Sequence, residues 1–227
     1  MRPRREVKRN QSQKFRLTIK TPRIAGFFVC YDDPMSREIT VRGILIARRS
    51  IGEGSVRVSI YTDSLGLIVA LAKSAREERS KLRAHLQEGT VGSYTLVKGR
   101  DAWRVTGAVD TRNAYFACGD SPKIKEAVAR VMATVRQFVR GEGSDPYLFS
   151  VLSNFLRATN GFANDEIMHA ECLAVLRMLA ALGYVETKNG TEQFFSTDYG
   201  EKLLALAAKE RPRLIRTINE SIAVSGL

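Results

Sequence analysis

The chain is poor in the residues that most often carry chemistry: its 227 residues include three cysteines, two histidines and one tryptophan. Cys30, Cys118 and Cys172 stand far apart with no Cys-x-x-Cys pair, so the spacing shows neither a zinc site nor a disulfide framework and favours reduced thiols. Long apolar runs are also lacking. None approaches the ~18 residues needed to cross a bilayer, and the most apolar stretch, Cys172 to Gly183, is broken by Arg177. The arginine-rich start is followed only by the short run Ile24 to Tyr31 and no small-residue cleavage pattern, so it does not read as a secretory signal. The default location is cytoplasmic.

Catalytic signatures are missing too. There is no phosphate loop, and Gly52-Glu53-Gly54 meets Arg57 where a dinucleotide fingerprint wants glycine. His169-Ala170-Glu171 matches half of the zinc deaminase signature, but no Pro-Cys-x-x-Cys follows. His85 has no obvious acid partner or nucleophile. The expectation is a protein that is not an enzyme and carries no cofactor or metal.

Acidic residues are in deficit as well, 24 against 36 Lys and Arg, a formal charge of +12. A surplus of that size points to a polyanion such as nucleic acid. It is unevenly spread: residues 1–34 hold nine basic and three acidic side chains, 35–110 thirteen and eight, and 111–227 fourteen and thirteen. The leader 1–34 has no apolar periodicity before Phe15 and reads as a basic flexible arm, contacting phosphates or merely solvated.

From Ser36 to Asp110 the period is two. Ile39 and Val41 alternate, and Gly43 shifts the phase to Ile44 and Ile46 as at a bulge. Val56, Val58 and Ile60 alternate; Leu67 to Ala72 is continuous; Tyr94 with Leu96, then Trp103, Val105 and Val109, complete five short strands. Ala75 to Glu88 is a loop or short helix before the fourth. That order predicts an OB-fold barrel over 35–110, a fold that often binds single strands. Beyond Ser121 the period becomes helical. Ser121-Pro122 caps a helix with Ile124, Val128, Val131, Val135 and Phe138 on one stripe, Asp145-Pro146 opens a second, and a third runs from about Asp165 to Leu182. Asn189-Gly190 signals a hairpin, and two helices follow, 197–209 and 212–224. The fold class is α+β: an N-terminal barrel, then a helical domain over 111–227 with a small β-hairpin.

The candidate interface is electrostatic. Lys73, Arg76, Arg79, Lys81 and Arg83 surround Glu77 and Glu78, and Arg48 and Arg49 close the first strand; a barrel brings these to one face. Arg57 shares the outward phase of the second strand. Tyr61, opposite in phase to Val56, Val58 and Ile60, is the candidate platform for base stacking, while Trp103 reads as core.

Thr40-Val-Arg-Gly-Ile-Leu-Ile-Ala-Arg-Arg-Ser-Ile-Gly-Glu-Gly54, the strand and basic segment Val56 to Lys73, the Trp-Arg strand at Leu96 to Val105, and the leucine-rich helix Leu173 to Tyr184 ending in Leu-Gly-Tyr together resemble RecO recombination mediators over about residues 38–227. The resemblance implies a protein that binds single- and double-stranded DNA and anneals complementary strands. It also implies that the protein contacts the C-terminal tail of single-strand binding protein and works with RecR to load RecA, at the bacterial nucleoid. Arg48, Arg49 and Lys73 fall on basic positions of the family pattern. Many members carry a four-cysteine zinc ribbon after the Leu-Gly-Tyr helix; here those cysteines are absent, so zinc is not carried over. The rival is a winged-helix regulator, for which Leu182 to Val185, the Asn189-Gly190 turn and Phe195 to Leu204 supply the helix, wing and trailing helix. Against it stands the near-neutral charge of that region.

Overall fold

The computed structural model describes residues 38–141, 143–185 and 192–225. The basic leader and the Asn189-Gly190 turn lie outside them. Five strands come first: β1 (Glu38–Ile51), β2 (Ser55–Thr62), β3 (Gly66–Ala72), β4 (Thr90–Lys98) and β5 (Trp103–Asn113). They close into a barrel in the order β1-β2-β3-β5-β4. Every pairing is antiparallel except β3 with β5. β1 is long because it serves two partners, Glu38–Ile44 lying along β4 and Gly43–Ile51 along β2.

Side chains of alternate strand residues fill the barrel, Val41, Leu45, Val56, Val58, Ile60, Tyr94 and Leu96 among them. Gly43 does not shift the phase as the sequence suggests. Val41, Gly43 and Leu45 continue one inward series, and the irregularity falls between Leu45 and Ala47. Gly43 is small because its space is taken: a Cβ there would sit 2.5 Å from Ile60 Cγ2 and 2.9 Å from Tyr94 Cδ2. Ile44 and Ile46 point the other way, into a second core shared with the helices. β1 is thus apolar on both faces, which mimics a phase change. Gly43→Ala should overpack the barrel at a cost of about 1–3 kcal/mol, lowering the thermal midpoint by roughly 2–12 °C. An unchanged midpoint would show that the wall yields there. A similar irregularity between Thr95 and Leu96, where Gly107 and Val105 face them, turns Val109 outward, 56% exposed, against its expected inward phase.

The segment between β3 and β4 holds turns and no helix. It plugs one end of the barrel with Ala75 and Leu86, both fully buried. Backbone bonds from Arg76 N–H to Gly54 O (3.0 Å) and from Gly89 N–H to Leu45 O (2.9 Å) fasten it.

The helices begin with α1 (Ala114–Ala117), α2 (Pro122–Phe138) and α3 (Pro146–Ala158), followed by α4 (Ile167–Ala181), a 3-10 turn at Glu192–Phe195 and α5 (Glu201–Ser225). The expected caps are present: Ser121 Oγ accepts from Ile124 N–H, and Asp145 Oδ1 from Tyr147 and Leu148 N–H. The α2 stripe is buried as its spacing predicts. α5 differs from the two helices expected, because it continues through Pro212. Proline in a helix interior costs about 3 kcal/mol. Leu204, Ala207, Leu214, Ile218 and Ser221 nevertheless form one buried stripe across it, and Pro212 itself faces outward. Packing that runs unbroken on both sides of the proline holds the helix together.

Candidate nucleic-acid interface

On the outer wall of the barrel, Arg57 of β2 has two cross-strand partners, Arg49 on β1 and Leu71 on β3. Leu71 in turn faces Arg104 on β5. The register therefore lays Arg49, Arg57, Leu71 and Arg104 in one row across four strands, with the three arginines exposed. Directly opposed strand residues sit about 5 Å apart, and like charges so placed repel. Among the described residues, none of the three arginines forms an ion pair; the arginines that do are Arg42, Arg130, Arg136 and Arg213. What the row lacks is an anion.

Beside the row lies an open groove of about 680 Å³. β3 and β5 pair at only two positions, Ala70 with Trp103 and Leu71 with Arg104, so the wall opens next to them. Arg57, Val69 and Leu71 line one side, and Lys98, Arg100 and Trp103 of the β4–β5 turn the other, with Asp101 as the acid among them. Val69 is 49% exposed. The Lys98 ammonium stands 5.6 Å from the centre of the Trp103 ring, within cation–π range. Trp103, expected in the core, is half-buried: it packs partly on the barrel interior and also borders the groove. Lys98, Arg100 and Arg104 were not among the sequence candidates. Their signal was available, three cations flanking the chain's single tryptophan within seven positions.

The nine sequence candidates separate into groups. Arg49 and Arg57 belong to the row. Arg48 does not join them. It faces inward-pointing Val58, is half-buried, and its backbone N–H donates to Glu88 Oε1 at 3.1 Å. It lines a different, shallow pocket with Asn113 and Phe116. Lys73, Arg76, Arg79, Lys81 and Arg83 are all exposed on the barrel plug and line no part of the groove. Arg76 is partly committed to structure, donating through Nη1 to Gly52 O at 3.1 Å in the β1–β2 turn.

Tyr61 is a correction. It does point away from the barrel interior, as its phase requires, but it is 1% exposed. That stretch of outer wall also carries Ile44, Ile46 and Val91 and is covered by the helices. The ring lies 6.3 Å from Phe149, and the hydroxyl donates to Asp145 O at 3.3 Å. Burial pushes that hydroxyl up to about 12. As placed, it has no face to offer a base.

The deaminase half-motif has other duties. Glu171 accepts two hydrogen bonds from Arg130, at 2.6 and 2.7 Å. Burial, then neighbouring Arg211, hold His169 below its usual value. Among the described residues no cluster of His, Cys, Asp or Glu is arranged to hold a metal, and no helix is long and apolar enough to cross a membrane.

Fold and surface thus define a mixed α+β protein whose five-stranded barrel displays an unpaired basic row beside an aromatic groove. Residues 35–112 match the family described as "Recombination protein O N terminal". Similar curated proteins are each named "DNA repair protein RecO". That of Dehalococcoides mccartyi is 25% identical over 149 residues, 65% of this chain and 57% of that one. In Heliobacterium modesticaldum the identity is 28% over 143 residues, 63% and 50% of the two chains. In Thermobifida fusca it is 32% over 146 residues, 63% and 58%. The chain carries the N-terminal domain of the RecO family, and its longer matches are to RecO proteins. It spans about half the length of the curated relatives it matches.

Proposed function

We propose that the protein is a DNA repair and recombination mediator of the RecO type, not an enzyme, that binds single- and double-stranded DNA and anneals complementary strands. The observation that carries this reading is the unpaired row Arg49, Arg57 and Arg104 beside the Trp103 groove. Cations without protein partners take phosphates and release counterions, and a half-exposed ring takes a base. We read the barrel as an OB-fold, because its strand order matches. In that fold the face of the second and third strands, with the loop between the fourth and fifth, receives oligonucleotides; here those elements supply Arg57, Val69, Leu71 and the turn before Trp103. The barrel over 35–110 is then the DNA-binding domain and 111–227 the helical domain that places it. RecR, the tail of single-strand binding protein and, indirectly, RecA are the partners that the family resemblance supplies, in the cytoplasm at the nucleoid.

The test is a salt-titrated binding and annealing assay on the full chain. The expected result is sequence-independent binding whose log affinity falls linearly with log salt, together with faster annealing. Tight binding to one duplex sequence without annealing would instead support a winged-helix regulator. The plug enters the same assay. Reversing Arg76, Arg79 and Arg83 to glutamate should flatten the salt slope by up to about 2 if each meets a phosphate, at roughly 0.7 per contact. An unchanged slope would confine the contacts to the groove and its row.

A further inference from the structure

The segment that plugs the barrel end carries five exposed cations, Lys73, Arg76, Arg79, Lys81 and Arg83, against Glu77 and Glu78. None of the five forms an ion pair among the described residues. Glu77 is turned aside to the β1–β2 turn, where a Cβ on Gly54 would sit 3.4 Å from its Oε1. Successive turn bonds, Glu77 N–H to Ser74 O at 3.2 Å, Ser80 N–H to Glu77 O at 3.0 Å and Arg83 N–H to Ser80 O at 3.2 Å, fix the backbone that presents the cations. Like charges gathered on a fixed backbone repel and cost stability unless an anion comes between them.

The plug is a different face from the row. Val69 and Leu71 point outward on β3, and Lys73, two positions on, stands at the rim of the wall. At Ser74 the chain turns off the wall with a φ of 53°, in the left-handed region, and Arg76 N–H reaches over to Gly54 O. The cations from Arg76 to Arg83 therefore lie across the barrel end, and none of them borders the Trp103 groove. The two faces also differ in chemistry. The groove sets a ring, Trp103, beside its cations, whereas Lys73 to Arg83 includes no Phe, Tyr or Trp. The bases of a single strand are free to stack on a ring. In a duplex they are inside the helix, and a partner that reads no sequence meets phosphates.

We infer that the plug takes duplex DNA through its phosphates alone, while the groove takes the single strand. This inference rests on the DNA-binding reading above and divides it between two faces. It also gives annealing an order. A strand in the groove keeps a base on Trp103 until it pairs. Pairing withdraws that base from the ring and leaves phosphates as the handle, so the product passes to the plug.

The experiment uses the full chain and two dye-labelled probes, a duplex and an oligothymidylate of about six nucleotides, near the low end of what one such barrel holds. Arg79, Lys81 and Arg83 are reversed to glutamate together; Arg76 is kept, because its side chain fastens the β1–β2 turn. The triple variant should lower duplex affinity at least about a hundredfold and flatten the duplex salt slope by up to about 2.7, at roughly 0.9 per contact. Its affinity for the short strand should stay close to that of wild type. Glutamine at the same three positions should act in the same direction with a smaller loss. Trp103→Leu should do the reverse, lowering short-strand affinity about tenfold with duplex affinity unchanged, and Trp103→Phe should recover the loss; circular dichroism checks that each variant is folded. A triple variant that loses both probes by the same factor, or neither, would overturn the division, as would a wild type that binds the short strand but no duplex. No salt-dependent binding of either probe by wild type would overturn the DNA reading itself, and the inference with it.

Discussion

Reversing both Arg49 and Arg57 to glutamate is expected to lower single-strand affinity about a hundredfold, with little change in folding stability. The two arginines are register partners on the outer wall, exposed, and without ion pairs among the described residues. A hydrogen bond to a charged group contributes about 1.5–3 kcal/mol, so two lost phosphate contacts remove at least about 3 kcal/mol, and each 1.4 kcal/mol is about tenfold. The slope of log affinity against log salt should also flatten by about 1.4. The single change Arg49→Glu separates function from structure. It replaces a repelling cross-strand pair by an attracting one, and such pairs are favourable by about 0.2–1 kcal/mol. Arg49→Glu should therefore stabilise the barrel slightly while weakening DNA binding, a combination that a residue with only a supporting role in the fold would not give. Binding that survives the double reversal, with its salt slope intact, would remove the row from the interface.

The element order was legible because each element carries its own period and its own punctuation. The α2 stripe from Ile124 to Phe138 and the caps Ser121 and Asp145 are local facts, and they appear where the sequence puts them. The errors share one cause, contacts between distant parts of the chain. The outward phase of Tyr61 is legible in the strand pattern, yet its exposure is decided by Phe149 and the loop at Asp145. Ile44 and Ile46 mimic a phase change because a helical layer lies over that part of the barrel wall. Pro212 looked like a break because the stripe that overrides it is buried by tertiary packing. The groove shows the same limit. Trp103 and Val69 lie 34 positions apart and border one groove only because β3 closes on β5. A search for runs of charge finds Lys73 to Arg83 instead, a cluster that is local in sequence and lies on the plug.

Arg177→Ala is expected to cause the largest loss of stability of any single change considered. Arg177 breaks the most apolar segment of the chain, and in the fold it is fully buried within α4. Among the described residues no carboxylate pairs with it. Its Nε donates to Phe194 O at 2.6 Å and its Nη1 to Asp198 O at 2.8 Å, and the guanidinium lies 4.6 Å from the Tyr199 ring centre. Those carbonyls belong to the 3-10 turn and to the irregular segment that joins it to α5, which Tyr147 and Asn154 of α3 also hold, through Phe195 O and Thr197 O. A planar, permanently charged fork suits carbonyls that point in two directions. Alanine would leave the buried Phe194 carbonyl without a donor, free the part-buried Asp198 carbonyl and open a cavity, together costing about 3–5 kcal/mol. At roughly 2–4 °C per kcal/mol for a domain of this size, the thermal midpoint should fall by roughly 6–20 °C. Arg177→Met keeps most of the volume but no donor, so it should recover only part of the loss, and Arg177→Lys, able to reach one carbonyl, should fall nearer to wild type. A methionine variant as stable as wild type would show that volume, and not the two carbonyl bonds, is what Arg177 supplies.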